Sequence, residues 1–137
     1  MRNFIKTRSS NVKYLGKISD KKKLAAVYNG CDIFMLLSRK TPKWEEWFGI
    51  TLVEAMACGL PIIATDNVGP REIINDGVNG FLVKNGKELF SKFNFLVSNN
   101  KEREKFGNIS KKLANNYDIE VLSKKIYQFF LLNGNHN

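Results

Sequence analysis

EWFGITLVEAMACGLPIIAT, residues 46–65, contains a change of backbone period that decides the fold class. Leu52, Ala55 and Met56 fall on one face at helical spacing, which predicts a helix from about Gly49 to Cys58. Gly59 ends it, glycine being the residue that most readily takes a left-handed helix stop. Residues 61–65 then read as a strand.

The same rhythm continues on both sides. Upstream, residues 12–15 read as a strand stopped by Gly16. A helix then starts near Ser19 or Asp20, either of which can cap it, and carries Leu24, Val27 and Tyr28 at helical spacing. Residues 32–38 form a strand that is apolar at nearly every position, as expected of a parallel strand covered on both faces. Residues 39–48 form a polar loop with Pro42, Trp44, Trp47 and adjacent acids, a composition suited to lining a site. Downstream, residues 70–75 predict a short helix opened by Pro70, and residues 80–83 a fourth strand. Residues 87–132 predict two helices, one marked by Leu89, Phe93 and Leu96 and one by Val121, Ile126, Phe129 and Phe130. Strands alternating with helices define an α/β protein with a parallel sheet of about four strands. The expected division is a basic N-terminal arm (1–11), one folded domain (12–132) and a disordered tail (133–137).

Bulk properties set limits. A chain of 137 residues that is 43% hydrophobic can bury one core. No apolar run approaches the roughly 18 residues of a membrane span, and the N-terminus lacks the pattern of a secretory signal, so a cytoplasmic location is expected. Cys31 and Cys58 read as small buried residues, not as a disulfide framework. The net charge of +9 is concentrated early: eight basic residues up to Lys23 face Asp20 alone. Such an arm can attract nucleic acid, anionic lipid or a phosphorylated substrate, or can be a solvated face. No aromatic residues interleave these charges as stacking platforms for single strands would require, which argues against nucleic acid.

The chemistry lies in the quoted block. Seven residues separate Glu46, in the loop, from Glu54, inside the helix. Gly49 permits close backbone approach at the helix start, and the amides of Ile50 and Thr51 then point where the helix dipole favours an anion such as a diphosphate. Glu54, one turn further on, can accept both hydroxyl protons of a ribose joined to that diphosphate, so the two acids are expected to face a common pocket at the helix mouth. The alternative is a helical acid complementing the dipole and a solvated loop acid.

The block resembles the signature of the family 4 (group 1) retaining glycosyltransferases. In that signature two glutamates separated by seven residues flank Phe-Gly, followed by Glu-Ala-Met-Ala-x-Gly-x-Pro and an apolar strand. Residues 12–16 (VKYLG), 69–74 (GPREII) and 76–83 (DGVNGFLV) are also similar to family motifs, so the resemblance covers roughly residues 11–83. It implies the C-terminal, Rossmann-like donor domain of the two-domain GT-B fold and a UDP- or GDP-sugar as donor substrate. By position, Glu46 would bind the donor sugar as the catalytic-site acid, with the backbone of Phe48 and Gly49 beside it. Ile50 and Thr51 would hold the diphosphate, Glu54 the ribose, and the loop at Gly16 and Lys17 would approach the base. No cofactor or metal is implied, since helix amides and basic side chains stabilise the leaving group, and the sequence shows no His, Cys or Asp ligand cluster. Trp47 departs from the family, which commonly has a small residue there. It either narrows the sugar pocket or, like Trp44, packs within the loop.

Against the family pattern the sequence lacks the upstream strands, the Arg and Lys for the diphosphate, and the acceptor-binding N-terminal domain. The expectation is a partial domain, incomplete alone, acting on a glycan or lipid-linked acceptor through a missing domain. It would be completed by a complementing chain or a homo-oligomer, or else remain a non-catalytic nucleotide-binding or interaction module from a truncated or split gene. For the sheet, residues 12–15 are expected to slide inward and pair with residues 33–37.

Overall fold

The computed structural model describes residues 11–39, 41, 45–47, 49–124 and 128. Asp20 opens the first helix, α1 (Lys21–Asn29), by accepting from the amides of Lys22 (2.8 Å) and Lys23 (3.1 Å). Then follow β1 (Phe34–Leu36), α2 (Ile50–Ala57), β2 (Ile62–Thr65), α3 (Val68–Ile73), β3 (Gly80–Val83), α4 (Gly86–Ser98) and α5 (Asn100–Ala114). A single 3-10 turn, Asn115–Tyr117, precedes a helical stretch at 119–124.

The three strands form one parallel sheet in the order β1-β2-β3, with Phe34 opposite Ile62 and Ile62 opposite Gly80. Alternate side chains of β2 leave on opposite faces. Ile62 and Ala64 join Tyr28, Leu52, Met56 and Ile73 in the core under α1, α2 and α3. Ile63 joins Phe81, Val83, Leu96 and Phe106 under α4 and α5. Both faces of the central strand are thus sealed, which explains its uninterrupted apolar sequence.

Several expectations need correction. Residues 12–15 are not a strand, and among the described residues the sheet has three strands, not four. Val12, Tyr14 and Leu15 remain 56%, 58% and 47% exposed, and residues 12–15 make no ladder with β1. An extended run becomes a stable strand only when its backbone pairs and one face is buried, and neither happens here. The proline helix starts two residues earlier than expected, at Val68, with Pro70 inside the first turn, where a missing N–H costs no helical bond. Residues 87–132 hold more than two helices, because Asn99 separates α4 from α5. The inward face of α5 is Phe106, Gly107, Ser110 and Ala114, too small and polar to register as an apolar stripe. Cys31 is exposed and Cys58 half-buried, so neither is a buried core thiol. Residues 1–10 of the basic arm, the tail 133–137 and the markers Ile126, Phe129 and Phe130 lie outside the described residues.

Small residues let the layers close. A Cβ on Gly80 would stand 2.5 Å from the Ile62 carbonyl oxygen, and one on Gly107 would collide with the carbonyl of Gly59. Gly107→Ala is therefore expected to destabilise the domain by roughly 1–3 kcal/mol, the range for overpacking. Gly86→Ala, which faces open space at the start of α4, should leave stability unchanged or slightly raised. Urea unfolding midpoints of the two variants check this.

Candidate functional site

The start of α2 is set by two local features. Gly49 takes φ 71, and a Cβ there would meet Leu52 Cδ1 at 2.8 Å, so the position requires glycine on both backbone and steric grounds. Its amide donates to Glu46 Oε1 at 2.9 Å, while the hydroxyl of Ser38 donates to Glu46 Oε2 at 3.4 Å. The loop bearing Glu46 is anchored from behind: the Gly69 amide donates to the Glu46 carbonyl at 2.9 Å, and the Val68 amide to Glu45 Oε1 at 3.2 Å. Thr65 and buried Asn67 donate to the Ser38 carbonyl at 2.7 and 3.0 Å. Among the described residues nothing accepts from the amides of Ile50 and Thr51, which stand at the positive end of the α2 dipole.

Two cavities are lined by residues of these segments. One, of about 320 Å3, lies at the carboxyl ends of all three strands and is lined by Ser38, Arg39, Thr65, Asp66, Asn67 and Lys84, with Val83. Open parallel sheets bind ligands at this edge. Arg71 forks onto Asp66 from outside and, together with Lys84, holds that carboxyl below its usual range against the opposing effect of burial.

The second cavity, of about 220 Å3, is a mostly apolar groove between α1 and α2. Lys21, Leu24, Ala25 and Tyr28 recur at i, i+3, i+4 and i+7 on one helix, and Glu54, Ala57 and Cys58 at i, i+3 and i+4 on the other, so two helical stripes face each other. Glu54, its side chain 25% exposed, bridges them. Lys21 Nζ stands 3.2 Å from Oε1, and the Tyr28 hydroxyl donates to Oε2 at 3.3 Å. Burial, then the charge of Glu54, pushes the Tyr28 phenol up to about 12, so it stays protonated and donating throughout the neutral range. Burial likewise raises the thiol of Cys58.

The sequence-predicted residues thus gather around α2, though not as one pocket. Glu46 is absent from the described lining of the Glu54 groove; its carboxylate turns toward Gly49 and Ser38, and that of Glu54 toward α1. Gly16 has φ 71 and Lys17 is exposed on the approach to α1, but the groove wall is made by Lys21 and Leu24 instead. Phe48 and Trp44 lie outside the described residues, and Trp47 is 72% exposed and so is no packing residue. Sequence reasoning missed Tyr28 and Lys21 as partners of Glu54. The only signal was their seven-residue separation, which puts both on the stripe that Leu24 already marked as facing inward. No three His, Cys, Asp or Glu side chains converge among the described residues.

Comparison with known proteins places this geometry in context. A family model described as Glycosyl transferases group 1 matches residues 6–113. Sucrose synthase 7 of Oryza sativa subsp. japonica is 40% identical over 94 residues, 67% of this chain and 11% of that protein. The N,N'-diacetylbacillosaminyl-diphospho-undecaprenol alpha-1,3-N-acetylgalactosaminyltransferase of Campylobacter jejuni is 30% identical over 124 residues, 89% of this chain and 31% of that protein. A crystal structure of Anabaena Alr3699/HepE in complex with UDP superposes with a TM-score of 0.71 at 29% identity, over 87% of this chain and 32% of that chain. The chain therefore spans about a third or less of the length of these relatives.

The raised Tyr28 phenol has a measurable consequence. Its folded-state value lies above the ordinary phenol near 10, so the stability it contributes is complete below about pH 10 and is lost as pH rises toward about 12. In an absorbance titration of the four tyrosines, Tyr28→Phe should remove the step near pH 12.

Proposed function

The chain belongs to the group 1 glycosyl transferases, and from that membership we propose that it forms part of a donor-binding domain that holds a nucleoside-diphosphate sugar for retaining transfer. The observation that carries the reading is the arrangement along α2. Two amides at its positive end, for which no described residue is an acceptor, are followed one turn later by a carboxylate that lines an apolar groove. Amides and dipole suit a diphosphate, the carboxylate suits vicinal hydroxyls, and a mostly apolar groove suits a nucleoside.

On this reading Ile50 and Thr51 hold the diphosphate, Glu54 the ribose, and the base lies along the groove toward Leu24 and the loop at Gly16 and Lys17. Glu46 and the backbone at Phe48 and Gly49 face the donor sugar, which would extend toward the cavity at the strand ends. Charge developing on the leaving diphosphate is met by the fixed amides of α2, without a metal ion, and the further cations would come from a part of the enzyme beyond these residues. The UDP in the Anabaena relative supports a uridine donor, with GDP the alternative. A glycan or lipid-linked acceptor would bind opposite, on a part of the enzyme beyond these residues or on a complementing chain or second copy. No described helix is long and apolar enough to cross a membrane; a cytoplasmic site of action, peripheral at the membrane through the basic N-terminal residues, is part of the proposal.

Calorimetric titration of UDP, GDP and a short oligonucleotide into the chain and its Glu54→Ala variant tests this. One nucleotide should bind, and its affinity should fall by about tenfold or more in the variant, the loss expected for hydrogen bonds to a charged group. Nucleotide affinity unchanged in Glu54→Ala would overturn the assignment. Oligonucleotide binding with a steep salt slope and no nucleotide response would favour a nucleic-acid role for the basic segment.

A further inference from the structure

A carboxylate that must accept two vicinal hydroxyls works only if its plane is set, because a freely rotating Glu side chain presents its oxygens in many directions. Glu54 has two candidates for that task. Lys21 is 83% exposed in its side chain and sits on a long flexible stem, so its pairing at 3.2 Å is screened and weak. Tyr28 differs. It is 8% exposed, its ring packs edge-on against Phe34 at 5.7 Å, and its hydroxyl reaches Oε2 at 3.3 Å in the groove that both residues line. The phenol stays un-ionised to about pH 12, so at neutral pH it can only stabilise the ionised carboxylate by donating to it.

We propose that Tyr28 is a positioning residue that orients the Glu54 carboxylate toward the cis-diol of a ribonucleotide, so that this buried hydroxyl, and not Lys21, sets the selectivity of the site for ribose over deoxyribose. The inference rests on the donor reading given above and adds to it the residue that makes Glu54 selective. One bond from Tyr28 leaves Oε1 and the remaining lone pairs of Oε2 for the two ribose hydroxyls, and the exposed Lys21 ammonium can swing aside as they arrive. Tyr28→Phe removes the donor and keeps the ring contact with Phe34.

The test is a ratio of affinities, because a change that merely loosens the groove weakens every ligand alike. UDP and 2′-deoxyUDP, or the guanosine pair if GDP binds more tightly, are titrated into the full chain and into Tyr28→Phe, Lys21→Ala and Glu54→Gln. Thermal melting establishes that each variant is folded. The parent should prefer the ribonucleotide by about tenfold. Tyr28→Phe should reduce that preference to roughly two- to threefold, and Lys21→Ala should leave it within about twofold. Glu54→Gln should reduce it at least as far as Tyr28→Phe. A Tyr28→Phe ratio equal to the parent's, with the ratio lost in Glu54→Gln, overturns the role of Tyr28 and leaves the donor site standing. Loss of the ratio in Lys21→Ala alone assigns the positioning to Lys21 and overturns it equally. A parent that binds neither nucleotide, or a ratio unmoved in Glu54→Gln, overturns the donor reading and this inference with it.

Discussion

Leu52, Ala55 and Met56 are completely withdrawn from solvent beneath α2, each contributing on the order of 1–3 kcal/mol of burial free energy according to its size. Three buried contacts along one stripe fix the rotation of the helix about its own axis. With 3.6 residues per turn, Glu54, Ala57 and Cys58 must then leave the flank that faces α1. The direction of the Glu54 carboxylate is thus decided by residues that never touch it. The central strand completes the constraint, since Ile62 and Ala64 hold α2 from below while Ile63 is gripped by α4 and α5 on the other face. Rotation of α2 by one residue would expose core and withdraw Glu54 from the groove together.

The parts of the fold that sequence reveals are those whose burial is one-sided or complete. β2 and β3 are legible because parallel strands sealed on both faces allow little but apolar residues, and α2 because its inward stripe is large and apolar. The α1 start is legible because Asp20 is a capping side chain whose hydrogen bonds are local. The failures share a different cause. Residues 12–15 have the composition of a strand, but strand formation depends on a partner elsewhere in the chain, which no local pattern reports. Helix α5 makes its closest approach through Gly107 against the Gly59 turn, and close approach selects small residues that look polar or neutral in a sequence.

The site divides along the same line. Glu46, Gly49 and Glu54 stand in a fixed local spacing and could be named before any coordinates, whereas the side chains that bond to the two acids come from other elements. Ser38 reaches Glu46 from the end of β1, and Tyr28 reaches Glu54 from another helix, twenty-six positions away. The expectation that both acids share one pocket treated side chains as free to point at a ligand. It left out the bonds they make with the protein itself, which turn the two carboxylates toward different neighbours.

Those bonds have a common form. Glu46 is held at 2.9 Å by a backbone amide that cannot rotate, and more loosely at 3.4 Å by a serine hydroxyl that can. Glu54 is held by a phenol fixed in the core and by a lysine in solvent. Each acid therefore has one partner imposed by the fold and one that an incoming hydroxyl can replace. On the proposed reading the exchange leaves the number of hydrogen bonds on each carboxylate nearly constant, so little desolvation is left uncompensated when the ligand binds. The fixed partner keeps the carboxylate plane in place while the exchangeable one departs. On that reading two acids separated by seven residues, one just before a helix and one inside it, act at two separate points along a single extended ligand.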